Sequence, residues 1–582
     1  MHFKPGFTLA LALASCVAMT ACLDSGDDDV PPTVRETAFG AVEGSDDSAA
    51  TGTYAWKGVP FAKPPVGALR WKAPADPDAW TTMRSTKKFA NACVQYGRIY
   101  GPGTNNTYDA TIASTLNQAV GSEDCLYLNI WRPASDETRL PVIVFIHGGS
   151  NVSGYTADPV YDGAKLAKTA NAVVVTVNYR LGIFGFFNHA ALKGGSNASE
   201  DSGNFAMLDN IKALQFVNRS IAAFGGDPGN VTVTGQSAGA IDVYALLTSP
   251  LMVNAPSKLM HRAVPLSGGI SLASNLPAGS LPTLNPAAVS LAQGAALLNN
   301  LLIADGKATD SASAAAYAAT QTPAQLADYL RGKDPAVLLG TLLAKLAALG
   351  LAGSGPIPDG AALPVDPVSA INAGNYLKVP VLAGNTRDEA KLFPSFLALS
   401  PALGGVSGRL VSDATLFNTQ FSYKPDAAPT VTVEQWIPAV YLPVGTPVTG
   451  FNAKTDLLNL IFFTASRDNV LSALKSQQPG VWYYRFDWAQ EPAPWNDIYG
   501  AAHAFDLPFV FGTFGPSLFA NVANSTANQP GRLELSDAMM KSLGAFARNG
   551  DPNNAALGVT WPAWPAQLLF DATLTAKRIT VQ

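Results

Sequence analysis

The feature that most constrains the fold of this chain is a serine between two glycines, in the segment GQSAG at 235–239. The β-branched run VTVT at 231–234 leads directly into it, and an apolar stretch at 240–247 follows, before Pro250. A strand that turns at once into a helix needs glycines, because they relieve crowding in the tight turn. Such a strand–turn–helix unit exposes the serine hydroxyl at the carboxyl edge of a parallel sheet. The segment therefore predicts that Ser237 is a nucleophile at that edge.

The rest of the chain shows the alternation expected for such a sheet. Short apolar runs alternate with longer helical stretches, which is typical of an α/β fold with a central, mostly parallel sheet flanked by helices. Apolar residues recur at helical spacing between 202 and 224. The fold is expected to carry large helical insertions, and residues 270–370 are rich in Ala, Leu, Gly and Ser with few landmarks. Within them, 338–352 is too short to span a membrane and is expected to be a packed or lid-like helix. The clearest strands are predicted at 142–146, 172–177, 231–234, 263–266, 379–383 and 481–486.

A nucleophilic serine needs a base, and one of the five histidines fits best. His2 lies in the N-terminal leader and His147 belongs to another motif. In α/β-hydrolases the chain order is nucleophile, acid, histidine. His189 precedes the serine, and His261 opens a short β run soon after it. This leaves His503, which follows a predicted strand and lies among small residues.

The acid is expected between the serine and the histidine. The predicted strand at 379–383 is followed by NTRDE at 385–389. Acids at the carboxyl end of a strand point into the crevice where ligands bind. Either Asp388 or Glu389 could therefore orient His503 and stabilise the imidazolium as it forms. These residues alone leave the two acids open.

A second glycine-rich turn, HGGS at 147–150, follows the predicted strand at 142–146. In such a turn, main-chain N–H groups converge on the negative oxygen that develops during acyl transfer. Together with the N–H of Ala238, the turn is predicted to complete an oxyanion hole.

The first 22 residues are predicted to be an export signal. Lys4 gives a positive start, residues 7–21 are almost continuously apolar, and an acidic stretch follows Cys22. This length is typical of an export signal rather than a membrane-spanning helix. The sequence MTAC ending at Cys22 also resembles a bacterial lipoprotein processing box, with Cys22 as the lipidated residue. Cys16 fits such a box locally, but cleavage there would leave an apolar segment exposed.

Residues 23–33 are predicted to be a flexible polar tether, and 34–582 a single hydrolase domain. The protein is expected in the bacterial cell envelope, lipid-anchored, periplasmic or at the surface, or else secreted. Cys93 and Cys125 remain in the mature chain, and in an oxidising compartment they would pair. Closing that loop would stabilise the fold by roughly 3–4 kcal/mol. Two separate buried thiols are the open alternative.

Composition and charge narrow the possible partners. The chain is 48% hydrophobic and 14% charged, which suits a large buried core and excludes general disorder. Its net charge of −5, without a Lys/Arg run, argues against nucleic acid. No metal or organic cofactor is implied. A membrane is expected as a partner only through the N-terminal lipid, and the chain is expected to be a monomer.

Several further motifs occur in order along the chain. They are WKGVPFAKPPVG at 56–67, SEDCLYLN at 122–129, NYRLG at 178–182, FGGDP at 224–228 and FARNGDPN at 546–553. With these motifs the chain resembles the type-B carboxylesterase family, which includes cholinesterases and bacterial para-nitrobenzyl esterases. The resemblance runs from about Thr37 to Trp564. It implies an α/β-hydrolase fold and a small-molecule ester as substrate.

The resemblance also implies roles for individual residues. It makes Glu389, rather than Asp388, the acid of the triad. The residues it assigns are the nucleophile Ser237, the acid Glu389, the base His503, the oxyanion donors Gly149, Ser150 and Ala238, and the disulfide partners Cys93 and Cys125.

The chain departs from the family pattern at several positions near these residues. Gln236 stands where the family usually carries Glu, so a negative charge beside the nucleophile is missing. Ser150 and Asn151 replace a small residue and an aromatic one, which predicts a more polar rim of the oxyanion hole. Ala390 and Asp506 replace the common Gly and Glu. None of these changes removes a catalytic group, so they bear on substrate preference and pH optimum.

The expected function is carboxylic ester hydrolysis through an acyl-enzyme intermediate. A lipase acting at lipid–water interfaces would use the same triad, and a non-catalytic binding protein could use the same fold. The segment between Cys93 and Cys125 contains no Trp. Cholinesterases bind the choline cation on the face of a Trp in this loop, so choline esters are not expected.

Overall fold

The computed structural model describes residues 31–195, 197–393 and 411–582. The predicted export signal at 1–22, with Cys16 and Cys22, lies outside these residues, as do residues 23–30 of the predicted tether. The last residues of that tether contact the domain. The carbonyl of Thr33 accepts a hydrogen bond of 2.7 Å from the indole N–H of Trp56. The folded part of the chain thus begins before residue 34.

A sheet of eleven strands forms the centre of the described chain. Its strands are β1 (Ser45–Asp47), β2 (Thr53–Pro60), β3 (Tyr127–Pro133), β4 (Leu140–Ile146), β5 (Val173–Val177), β6 (Gly226–Gln236), β7 (Arg262–Leu266), β8 (Val381–Thr386), β9 (Val481–Phe486), β10 (Leu568–Ala572) and β11 (Lys577–Val581). Their spatial order is β11-β10-β9-β8-β7-β6-β4-β5-β3-β2-β1. Neighbours from β5 to β10 run parallel, and the remaining pairs at both ends run antiparallel. This confirms the mostly parallel sheet predicted from the sequence.

The parallel strands are apolar along their whole length because both faces of the sheet are covered. Every residue of β4 is buried. Val142 and Val144 enter one hydrophobic core, whereas Ile143 and Phe145 enter another on the opposite face. All six predicted strands are present. β8 begins at Val381 rather than 379, since Pro380 has no backbone N–H to donate to a neighbouring strand.

Helices cover both cores. Those of seven or more residues in the described chain are α1 (Ala164–Ala170), α2 (Phe205–Ser220), α3 (Ala238–Thr248), α4 (Ala287–Ala304), α5 (Ser311–Ala319), α6 (Pro323–Arg331), α7 (Pro335–Thr341), α8 (Asp413–Gln420), α9 (Phe451–Asn459), α10 (Ala465–Gln477) and α11 (Gln529–Asn549). The helix predicted within 202–224 is α2, which continues as a 3₁₀ turn over Ile221–Phe224 and ends at Gly225 with φ 78°. Helices α2, α3 and α10 line the first core, and α1, α9 and α11 line the second.

Helices α4 and α7 lie within residues 270–370, where they form a helical insertion and pack around a smaller third core. The segment 338–352, predicted to be a packed or lid-like helix, packs in the third core but is not one regular α-helix. α7 ends at Thr341, a π-helical turn covers Leu342–Leu346 and a 3₁₀ turn covers Ala347–Leu349. α4 is long and apolar enough to cross a membrane, although a third of its residues are buried inside the protein. Its Leu297, Leu298, Leu301 and Leu302 pack in the third core.

Arg70 fastens this insertion to the remainder of the domain. Its guanidinium donates two hydrogen bonds of 2.6 Å to the carboxylate of Glu123. It also donates to the backbone carbonyls of Arg331 and Lys333, at 3.0 and 2.5 Å. Glu123 lies two residues before Cys125, which forms a disulfide with Cys93. The disulfide is the one that the family resemblance implies.

Candidate active site

The turn at Ser237 has the strand–turn–helix geometry predicted from the sequence. β6 ends at Gln236, α3 begins at Ala238, and Ser237 between them has φ 59° and ψ −121°. A Cβ on Gly239 would lie 2.1 Å from the carbonyl oxygen of Ile146, so this position requires glycine. Ser237 is partly exposed while the residues on both sides are buried. Its side chain is therefore presented to solvent from a rigid turn.

Glu389 lies directly after β8 and contacts His503. His503 Nδ1 and Glu389 Oε2 are 2.5 Å apart. Glu389 Oε1 accepts two more hydrogen bonds, from the Asn385 amide at 2.8 Å and the Thr386 backbone N–H at 2.9 Å. Burial opposes ionisation of this fully buried carboxyl, but the charge interaction and hydrogen bonds with its partners outweigh burial and lower the pKa of Glu389. The carboxylate is thus held ionised beside the imidazole.

Asp388, the other acid left open by the sequence, is directed elsewhere. Its Oδ2 accepts hydrogen bonds from the Arg387 guanidinium at 2.7 Å and from the backbone N–H of Ala501 at 3.0 Å. Asp388 therefore tethers the loop that carries His503, whereas Glu389 contacts the ring itself.

The other ring nitrogen of His503 faces the turn at Ser237. His503 Nε2 lies 3.0 Å from the side-chain nitrogen of Gln236, the residue immediately before Ser237. The rings of Phe393 and Phe463 pack on the imidazole, with centroids 4.9 and 5.3 Å away. With Nδ1 donating to Glu389, Nε2 accepts a hydrogen bond from the Gln236 amide. Nε2, the nitrogen that a general base would use, therefore faces the turn that presents Ser237.

Replacing Gln236 with glutamate is expected to move the acid limb of the kcat/KM–pH profile up by about one pH unit. A carboxylate next to Nε2 favours the imidazolium, so the base stays protonated to higher pH. The measurement is the profile of both proteins on a soluble ester. Gln236→Met, which has similar length and no charge, is the control and should not raise the limb. Superimposable profiles for Gln236→Glu and the unaltered protein would contradict the expectation.

The predicted oxyanion turn at 147–150 packs against the turn at Ser237. A Cβ on Gly148 would lie 2.9 Å from the Cβ of Ser237. Gly149 and Ser150 have φ values of 107° and 56°. Within the described chain, the backbone N–H groups of Gly149, Ser150 and Ala238 donate to no protein acceptor. Three N–H groups beside the serine are therefore free to bind a negative oxygen.

A cavity of about 180 Å³ opens beside Ser237. Phe393, Phe462 and Phe463 contribute an aromatic wall, and small residues such as Ser354 and Gly355 line another part. Among the described residues, no charged side chain lines this cavity. It suits a small neutral molecule.

Asn151, which the sequence predicts at a polar rim of the oxyanion hole, is one of the residues that line the cavity. It is only 1% exposed and also contacts two buried residues, Tyr179 and Asp242. The sequence reasoning also missed Asp242, although an aspartate within the apolar stretch at 240–247 was a visible signal. Asp506 likewise lies buried, where it accepts a hydrogen bond of 2.8 Å from the Tyr484 hydroxyl.

The described residues contain no group of three or more His, Cys, Asp or Glu side chains placed to hold a metal ion. The chemistry available at this site is that of the serine, the imidazole, the carboxylate and the backbone N–H groups. A mostly parallel sheet flanked by helices, with a serine turn after β6, an acid after β8 and a histidine after β9, defines an α/β-hydrolase.

Comparisons with known proteins identify the family. Residues 31–576 match the model of the carboxylesterase family, and the chain belongs to that family. It is 30% identical to the para-nitrobenzyl esterase of Bacillus subtilis (strain 168) over 552 residues, covering 93% of this chain and 95% of the relative. It is 32% identical to liver carboxylesterase 1 of Oryctolagus cuniculus over 583 residues, covering 96% and 91%. A solved structure of PNB esterase superposes with a TM-score of 0.68 at 29% identity, covering 94% and 97%. The protein is a carboxylic ester hydrolase.

Proposed function

We propose that the chain hydrolyses small neutral esters by two-step acyl transfer, with Ser237 as nucleophile, His503 as general base and Glu389 as the orienting acid. The observation that carries the proposal is the placement of His503. Nδ1 is held by the buried Glu389 carboxylate, while Nε2 is turned toward the segment that presents Ser237. These are the positions that a base needs in order to take a proton from the serine.

In the first step, Ser237 Oγ attacks the ester carbonyl as His503 Nε2 takes its proton. Before this step, Nε2 must lose its hydrogen bond from the Gln236 amide and accept one from the Ser237 hydroxyl. Glu389 holds the ring in the required tautomer and stabilises the imidazolium. The proton then passes to the leaving alcohol, and the acyl group stays on Ser237. Water activated by the same base releases the acid and restores the serine.

The oxyanion is stabilised by the N–H groups of Gly149, Ser150 and Ala238. They require no reorganisation during the reaction, because the turn at 147–150 and the start of α3 already hold them beside the serine. Such preorganised donors are worth roughly 3–4 kcal/mol each when removed singly.

The substrate is proposed to be a small ester without charge near the scissile bond. A cavity of about 180 Å³ with no charged lining accommodates a short acyl or aromatic group, and the phenylalanine wall offers apolar contact. A long-chain lipid ester would extend beyond it. Lipase action is therefore the alternative that the experiment must separate.

The test is hydrolysis of p-nitrophenyl esters from acetate to palmitate by residues 23–582. Activity is expected to peak at short chains and to fall steadily with length, and Ser237→Ala should abolish it. Rapid mixing should show a burst of p-nitrophenol, and mass spectrometry of quenched protein should show the acyl group on the Ser237 peptide. Preference for long chains above their solubility limit would support the lipase. No turnover of any ester would overturn the proposal.

We also infer that the protein is exported and is anchored by a lipid on Cys22. The mature protein is proposed to be a monomer. The apolar segment at 7–21 supports export, and the Cys93–Cys125 disulfide is typical of an oxidising compartment. In bacterial cells, the unaltered chain is expected in the membrane fraction and Cys22→Ser in the soluble fraction. Equal distribution of both proteins would contradict the anchor.

A further inference from the structure

Three buried side chains connect the oxyanion turn to the helix that follows the nucleophile. Asp242 lies on α3 and is fully buried. Its Oδ1 lies 3.3 Å from the side-chain nitrogen of Asn151, which directly follows the oxyanion turn. The hydroxyl of Tyr179, beyond β5, lies 3.0 Å from Asn151 Oδ1 and 2.8 Å from the carbonyl oxygen of His147. The chain of contacts therefore runs from α3 to the first residue of the turn.

Only one protonation state gives each of these side chains the hydrogen-bond donors and acceptors that its contacts require. Tyr179 has one hydroxyl proton, so it cannot donate fully to both the His147 carbonyl and the Asn151 oxygen. The Asn151 amide has the same shape when its oxygen and nitrogen are exchanged. In the exchanged orientation, its nitrogen donates to the Tyr179 oxygen and Tyr179 donates to His147. The Asn151 oxygen then faces Asp242, which must supply a proton.

The surroundings of Asp242 favour this protonated form. As a carboxylate it would have one long hydrogen bond from Asn151, while Oδ2 has no partner in the described chain. Burial of a charge with so little compensation is costly, and it raises the pKa of Asp242 to about 7.

Nearby charges do not alter this conclusion. Tyr179 interacts electrostatically with Asp242, and its own pKa is raised by burial, so it remains a donor. Burial raises the pKa of Asp242, and the hydrogen bond from Asn151 opposes this shift without cancelling it. Charged side chains on the strands and α2 that pack against α3 do not contribute; they are Asp227, Arg262, Asp209, Lys212 and Arg219.

We propose that Asp242 is a positioning residue which, in its protonated form, donates to Asn151 and so fixes the oxyanion turn against α3. The proposal rests on the proposed function, because it concerns the same oxyanion hole. The hole has two halves, the turn with Gly149 and Ser150 and the helix start with Ala238. Asp242 and Asn151 join these halves beside the cavity. Loss of the proton leaves only the long hydrogen bond from Asn151 to the carboxylate, and Tyr179, with one hydroxyl proton, then cannot donate to both Asn151 and His147.

The test compares Asp242→Asn with the unaltered protein. Asparagine has the same shape and donates an N–H to Asn151 at every pH. The ratio of kcat for Asp242→Asn to kcat for the unaltered protein is expected to be near one at pH 6. It should rise severalfold by pH 9, because only the aspartate loses its proton. Asp242→Ala should lower kcat about tenfold or more with little change in KM.

The control is Asp158→Asn. Burial also raises the pKa of Asp158, to about 6, but its carboxylate caps the turn at Pro159–Tyr161. The ratio of kcat for Asp158→Asn to kcat for the unaltered protein should stay constant from pH 6 to 9. A constant ratio for Asp242→Asn, or unchanged kcat in Asp242→Ala, would overturn the proposal.

A spectroscopic measurement keeps the proposal testable if Asp242→Ala does not fold. The infrared difference between the unaltered protein and Asp242→Asn at pH 6 should contain the carbonyl band of a protonated carboxyl, and the band should fade above pH 7. Absence of this band at pH 6 would refute the proposal that Asp242 is protonated. Because the band needs no substrate, it would still report on Asp242 if Ser237→Ala retained ester turnover and the proposed function failed.

Discussion

Replacing Ser237 with alanine is expected to lower kcat for p-nitrophenyl butyrate by roughly 10⁵- to 10⁶-fold while leaving the fold intact. The hydroxyl is the only group removed, and without it no acyl-enzyme forms. The oxyanion donors and the cavity remain, so catalysis by positioning alone should persist weakly over the reaction in water. The measurement is steady-state hydrolysis with protein free of wild-type contamination, together with circular dichroism to check the fold.

The control for this prediction is another serine-to-alanine change, away from the cavity. Ser536 on α11 is buried and donates a hydrogen bond of 2.8 Å to the carbonyl of Phe509. Ser536→Ala should lose some stability but keep kcat within about twofold, because Ser536 contacts neither the cavity nor the residues that position the site. Retention of more than about 1% of kcat in Ser237→Ala would show that another group is the nucleophile.

Asp209→Ala is expected to lower the free energy of unfolding by about 3–5 kcal/mol, the largest loss of stability we predict. Asp209 on α2 is fully buried and accepts hydrogen bonds from the Arg180 side chain at 2.7 and 2.8 Å and from its backbone N–H at 3.1 Å. The Arg180 side chain is only 4% exposed, so removing the carboxylate leaves a buried cation without its partner. Urea denaturation followed by tryptophan fluorescence measures the loss.

A surface ion pair provides the matched control. Asp537 and Lys541 on α11 lie 2.7 Å apart, with both side chains 47% exposed. Asp537→Ala should cost less than about 0.5 kcal/mol, since solvent screens the pair. The double change Arg180→Met/Asp209→Leu should be less damaging than Asp209→Ala, because it removes both charges. Similar losses for Asp209→Ala and Asp537→Ala would contradict the argument from burial.

Much of the fold and the site follows from local sequence signals. β-branched runs fix the parallel strands, and the GQSAG segment fixes the geometry of Ser237 because its glycines admit contacts that no side chain allows. The choice of Glu389 over Asp388 needed the family resemblance, since both acids end the same strand. In the structure, one of these neighbours contacts His503 and the other contacts Arg387.

The rest depends on contacts between residues far apart in the sequence. Asn151 lines the cavity, and its contact with the buried Asp242, 91 residues away, cannot be inferred from neighbouring residues. The contact between Gln236 and His503 spans 267 residues and leaves no local pattern. The helix type also changes after Thr341, where Leu342 and Leu346 pack in the third core, and periodicity alone does not predict that change. Periodicity and motifs reveal which elements form, but they do not reveal which buried polar groups meet.

The placement of the site along the chain has a consequence for biosynthesis. A ribosome makes the chain from its N-terminus, so the turn with Ser237 is complete well before β8, and long before His503 and β10. At that stage the nascent polypeptide carries Ser237 without the proposed base, His503, and the sheet still lacks β7 to β11. On the proposed mechanism, ester hydrolysis would begin only after the segment with His503 has joined the sheet. A cell that kept the chain unfolded until after transport would never expose its own cytoplasmic esters to the finished catalyst.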